Sequence, residues 1–187
     1  MPRALIVIDM QRGFDDLEHW GPTANPDCEA NVGALVSSWE RAGEPIVVVR
    51  HDSPSPSSPL HAGAPGNALV EVVAAVEPAL FVTKSVNSAF YGDPDLHAWL
   101  QREGVSELVV CGIQTNMCVE TTARMAGNLG YDVTVVLDAT RTFDLSTDVA
   151  GLGTVARTAA ELMAATALVL QAGGFARIAT TRQVARA

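Results

Sequence analysis

The chain has 187 residues, 48% of them hydrophobic, and its 12 Lys and Arg against 21 Asp and Glu give a formal net charge of −9. That length suits one domain, expected to span residues 1–187, and the acidic balance argues against a nucleic-acid surface or an anionic membrane as partner. Three cysteines, Cys28, Cys111 and Cys118, are too few and too irregularly spaced for a disulfide scaffold or a CxxC zinc site.

The sequence opens MPRALIVIDMQ, and its apolar run, Ala4–Ile8, stops at Asp9. That run is too short for the apolar region of a signal peptide, so a buried strand and a cytoplasmic protein are expected. No apolar run reaches the roughly 18 residues of a membrane span. Further β-branched runs lie at Pro45–Val49, Ala79–Thr83, Leu108–Cys111 and Val133–Leu137. Their near-continuous hydrophobicity is that of parallel strands buried on both faces.

Helices long enough to cross over a sheet are expected at about residues 29–42, 66–76, 94–103 and 118–129, with Gly43, Gly104 and Gly130 as C-cap glycines. Segment 52–66, punctuated by Pro54, Pro56, Pro59 and Pro65, reads as an ordered loop beside the site. Residues 138–148 read as a loop, and 150–170 as a long helix ending near Gly173 and Gly174, with Gly151 and Gly153 blurring its start. A last strand is expected at 176–180. The alternation specifies an α/β fold with helices on both faces of one parallel sheet.

Open α/β sheets bind ligands at the carboxyl ends of their strands, where the strand order reverses. Three chemically capable residues follow three separate strands: Asp9, Lys84 and Cys118. Cys118 is the candidate nucleophile, because a helix start and a nearby Lys84 both favour thiolate. Asp9 can orient Lys84 and accept the thiol proton. This set suits attack on a carbonyl carbon followed by hydrolysis of a covalent intermediate. Backbone N–H groups around Ile113, Gln114 and Cys118 would stabilise the oxyanion. Each residue also has a plainer reading: a packing cysteine, a turn-capping aspartate, a solvent-facing lysine.

The segments ALIVIDMQRGF, VTKSVNSAF and VVCGIQTNMCVETTARMAGNLGYDVTVVLDA occur in this order on the expected elements. Through them the chain resembles the isochorismatase-like cysteine hydrolase family, which includes nicotinamidases and N-carbamoylsarcosine amidase-like enzymes. The resemblance implies a three-layer α/β/α fold with a largely parallel six-stranded sheet, and a catalytic triad of Asp9, Lys84 and Cys118. It also implies a cis peptide at Ile113–Gln114 and a homo-oligomer, at least a dimer. The activity implied is cleavage of an amide or related C–N bond in a small molecule, through a thioester. Two alternatives stand beside it: vinyl ether hydrolysis, as in the isochorismatase branch, which need not use a cysteine, and a non-catalytic oligomeric binding protein.

The nicotinamidase branch carries Asp-x-His after the second strand, with further histidines. Here position 54 is proline, and the order His51–Asp52 does not reproduce the motif, so neither a metal nor a cofactor is expected. Phe14, Trp20, Phe90, Tyr91 and Phe143 are candidate apolar walls. His51, Asn87, Gln114, Thr115 and Asn116 are candidate polar contacts to substrate. Arg124 and Cys111 are assigned to packing, and His19, His61 and His97 to no catalytic role.

Overall fold

The apolar run after the N-terminus becomes β1 (Arg3–Ile8), buried from Ala4 to Ile8. Its side chains alternate between two cores, with Ala4, Ile6 and Ile8 in one and Leu5 and Val7 in the other. A strand shared by two cores must be covered on both faces, and the rest of the chain supplies the covers. This is a computed structural model, and it describes residues 3–185.

After β1 come α1 (Cys28–Ala42), β2 (Ile46–His51), β3 (Leu80–Lys84), α2 (Leu96–Arg102), β4 (Glu107–Ile113), α3 (Glu120–Asn128) and β5 (Asp132–Arg141). A hairpin of β6 (Leu145–Val149) and β7 (Gly153–Arg157) precedes α4 (Ala159–Ala172) and β8 (Arg177–Ala179). Six strands form one parallel sheet in the order β3-β2-β1-β4-β5-β8. Val32, Leu35, Val36 and Trp39 of α1 pack on one face. Leu96, Trp99 and Leu100 of α2, Ala123 and Ala126 of α3, and Leu170 of α4 pack on the other. The architecture is three-layered, α/β/α. The chain steps outward from β1 to β3, then returns to lay β4 on the other side of β1, so the strand order reverses between β1 and β4.

Four stretches differ from expectation. The helix expected over 66–76 is reduced to single turns at Pro65–Asn67 and Glu71–Ala74. Tertiary contacts hold this stretch open: Gly66 lies against Gly13 and Pro59, and the Asn67 amide donates to the carbonyls of His51 and Leu60 and to the Asp52 carboxylate. The segment from 138 onward is strand rather than loop, since β5 continues to Arg141 and β6 pairs with β7. Gly151 and Gly153, with φ of 82° and 71°, lie at the turn between β6 and β7, so α4 starts only at Ala159. A Thr158–Glu161 capping box marks that start. Finally, α3 begins at Glu120, and a wider π turn over Thr115–Val119 carries Cys118. Among the described residues, no helix is long and apolar enough to cross a membrane.

Candidate active site

Two close approaches bring strand ends together at the point where the order reverses. Gly112 of β4 lies opposite Ile8 of β1, and a Cβ there would sit 1.9 Å from the Ile8 carbonyl oxygen. Its φ of 118° is also open only to glycine at low cost. The next residue of β1's chain, Asp9, has φ of 50°, a region that aspartate tolerates better than most residues. Its N–H donates to the Val49 carbonyl at 2.9 Å, and its own carbonyl accepts from Gln11 N at 2.8 Å. This sharp turn places the carboxylate at the carboxyl end of the sheet.

Lys84 is the last residue of β3, paired in register with His51 of β2. The Lys84 and Asp9 side chains are both 0% exposed, with Nζ and Oδ2 2.6 Å apart. Nζ also donates to Cys118 Sγ at 3.4 Å and lies 3.3 Å from His51 Nδ1. Thus the structure brings together Asp9, Lys84 and Cys118, at or just beyond the ends of three separate strands, and adds His51 to the set.

Cys118 hangs from the π turn that follows β4. The Ile113–Gln114 peptide at its start is cis. The Gln114 carbonyl accepts from the N–H groups of Met117 and Val119, both at 3.1 Å. Thr115 Oγ1 donates to Thr140 Oγ1 at 2.9 Å, and Thr142 Oγ1 donates to the Asn116 and Gln114 side-chain oxygens. Hydroxyls at the end of β5 therefore pin the turn that presents the thiol. Sequence reasoning missed Thr140 and Thr142, which follow the last residue of the matched segment, Ala139.

Burial dominates the electrostatics. It pushes the Asp9 carboxyl above its ordinary range, against the lowering effect of Lys84. It also pushes the Cys118 thiol up to about 12, with the Asp9 charge adding to the rise and Lys84 only partly offsetting it. Lys84 favours the thiolate, as expected, but burial outweighs it, because removing a charged sulfur from water costs more than the ammonium returns, so the net shift favours the thiol. Cys28 is likewise pushed up to about 12, and Cys111 is raised further by complete burial.

The cation held by this donor set is the Lys84 ammonium, which touches all three of Asp9, His51 and Cys118. The other metal-like group, His51, Asp52 and His61, does not converge. Asp52 accepts from Arg50 Nε and Nη2 and from Asn67, and His61 Nδ1 accepts from Gly63 N.

Of the candidate walls, Phe14, Trp20 and Phe143 stack in one cluster, with centroids 4.9 to 6.0 Å apart. Phe90 instead stacks on Tyr131, in the core that contains Cys118. Tyr91 is 72% exposed, and Asn87 is exposed on the segment after β3. Arg124 pairs with Glu120 at 2.8 Å and lies over Phe175. Gln11 and Asn67, buried amides that clamp the His51 backbone, were not singled out in the sequence. The signal for Gln11 was its place two residues after Asp9.

Comparison with known proteins shows the family and the fold. The family model described as Isochorismatase domain matches residues 3–167. The isochorismatase family protein YrdC of Bacillus subtilis is 36% identical over 143 residues, covering 76% of this chain and 75% of that one. Nicotinamidase 3 of Arabidopsis thaliana is 34% identical over 154 residues, covering 75% and 74%. The streptothricin hydrolase of Streptomyces noursei is 32% identical over 145 residues, covering 76% of this chain and 51% of that one. A crystal structure from the isochorismatase family of Chromobacterium violaceum superposes with a TM-score of 0.87 at 36% identity, covering 98% and 91%. A parallel sheet that reverses its order at β1 and β4, a buried cysteine beside the Asp9–Lys84 pair, and these matches place the chain in the isochorismatase family of hydrolases.

Proposed function

We propose that this protein is a cysteine hydrolase that cleaves an amide or related C–N bond of a small molecule through a thioester. The observation that carries the reading is a single ammonium, Lys84, bonded at once to a buried carboxylate and a buried thiol. Asp9 Oδ1 is buried and makes no hydrogen bond among the described residues, leaving a lone pair for the Cys118 proton. Burial raises the proton affinity of Asp9, which makes it a better base for a thiol that is itself reluctant to ionise.

In the proposed sequence, Asp9 takes the thiol proton as sulfur attacks the carbonyl carbon. The tetrahedral intermediate collapses, the C–N bond breaks, and protonated Asp9 returns the proton to the departing nitrogen. Water, deprotonated by Asp9, then attacks the thioester. The acid leaves, and Cys118 recovers its proton. Oxyanion stabilisation is assigned to amides of the turn from Ile113 to Cys118; that of Met117 is already spent on the Gln114 carbonyl. Phe14, Phe90, Asn87, His51 and Gln114 remain the proposed substrate contacts. Relatives named for a nicotinamide and for streptothricin support an amide-like substrate class.

Intact-mass analysis of the protein quenched during turnover of a panel of small amides tests the reading. An acyl adduct on wild type, absent from Cys118→Ala, is expected. Equal adduct on both proteins, or turnover by Cys118→Ala, would overturn it.

A further inference from the structure

An ammonium has three N–H donors and no acceptor. At Lys84 each donor has a partner: Asp9 Oδ2 at 2.6 Å, His51 Nδ1 at 3.3 Å and Cys118 Sγ at 3.4 Å. Since Lys84 can only donate, Nδ1 of His51 is the unprotonated, accepting nitrogen. In the neutral ring the other nitrogen then carries the proton.

His51 is itself fixed from behind. Its N–H donates to Gln11 Oε1 at 2.9 Å, while its carbonyl accepts from Gln11 Nε2 at 3.0 Å and Asn67 Nδ2 at 3.2 Å. Gln11 comes from the segment after β1 and Asn67 from the loop after β2, and both are buried. Two neutral amides thus hold the backbone that carries the imidazole, and register pairing with Lys84 holds it against the ammonium.

We propose that His51 is a positioning residue: its neutral imidazole is the third acceptor that holds the Lys84 ammonium between Asp9 and Cys118, and protonating it releases that hold. The proposal rests on Asp9, Lys84 and Cys118 being the reacting set. The titratable groups facing the ring are Lys84 from β3, Asp9 from the end of β1, Cys118 from the turn after β4, and the adjacent Asp52, which is paired with Arg50. Burial and the Lys84 charge lower the imidazole's proton affinity, and the Asp9 and Asp52 carboxylates act against them. A protonated ring would set a second cation against Nζ with no lone pair between them. The ammonium would then turn away from the thiol, so Cys118 reactivity would fall with one proton more than the Asp9–Cys118 pair alone binds.

Alkylation of Cys118 by iodoacetamide, followed by intact mass from about pH 4.5 to 8, reads this without any substrate. Cys118→Ala supplies the background from Cys28 and Cys111. At the acid end, the logarithm of the wild-type rate is expected to rise with a slope of about two per pH unit, one proton from the reacting pair and one from His51. His51→Asn, whose amide oxygen replaces the accepting nitrogen but does not titrate, is expected to give a slope of about one. His51→Leu, with no acceptor, is expected to react about tenfold more slowly. A wild-type slope of one, or an asparagine variant that keeps the second proton, overturns the proposal. Should the leucine variant fail to fold, the slope comparison decides alone. Because no substrate is used, a two-proton profile alongside no amide turnover would refute the hydrolase reading and leave the role of His51 standing.

Discussion

Replacing Lys84 by methionine keeps the volume of the side chain but leaves Asp9 without its cation. The pair is 2.6 Å apart, and both side chains are 0% exposed. With an effective dielectric constant of about 20, the gross attraction at that distance is about 6 kcal/mol. Most of it offsets the desolvation of two ions, yet removing one partner leaves the whole burial cost of the other. The expected loss is about 3–5 kcal/mol at pH 8, read by urea denaturation. The pH dependence carries the sharper signature. Burial already raises the folded Asp9 pKa above its ordinary value of 3.8, and without Lys84 it rises further. The folded state then binds a proton that the unfolded state releases, so stability is fully present below about pH 4 and falls as pH rises through the raised folded value. Lys84→Met should therefore regain stability on acidification towards pH 5, more steeply than wild type. Adding Asp9→Asn to the variant should return part of the loss. A loss below about 1 kcal/mol at pH 8, with a pH slope equal to that of wild type, would refute the charged-pair reasoning.

Three further outcomes are expected. Gly112→Ala forces a Cβ to within 1.9 Å of the Ile8 carbonyl at a φ of 118°; it should cost at least about 3 kcal/mol or prevent folding, seen in thermal melts and soluble yield. Thr158→Ala removes the Thr158–Glu161 capping box; a loss of about 1 kcal/mol in urea melts, without change in Cys118 alkylation, is expected. The buried thiols keep protons in the folded state that the unfolded chain releases above about pH 9, with Cys28 and Cys118 both raised to about 12. Stability should thus be intact below pH 9 and fall by about 1.4 kcal/mol per pH unit per thiol above it; a melting temperature unchanged from pH 8 to 10.5 would contradict this.

The sheet was legible because five of its strands are short, uninterrupted apolar runs between helix-long stretches, and three of the helices end at glycine. Asp9, Lys84 and Cys118 were legible through their place after those runs and through three matched segments. The hairpin of β6 and β7 was not, since its strands are largely exposed and carry no buried face to impose a period. Its glycines weakened a helix reading without specifying a turn. The capping box at Thr158 was the overlooked signal. Residues 66–76 failed for another reason: their helix propensity is overridden by Asn67, whose amide serves three distant acceptors. The acidity of Cys118 was misjudged because sequence shows a neighbouring cation but not the depth at which the sulfur lies.

The strand order has a consequence for how the molecule comes into being. Asp9 and Lys84 are 75 residues apart in sequence, and Lys84 and Cys118 are 34 apart. They meet only after β1 has acquired β2, with β3 beyond it, on one flank and β4 on the other. Parallel pairings of this kind demand closure of long chain segments and tend to form late. A partly assembled chain would therefore hold the three groups apart, with its thiol in water and more acidic than in the finished protein. During refolding, general alkylation of cysteine should fade as the Asp9–Lys84–Cys118 set forms, so that the loss of one reactivity times the birth of the other.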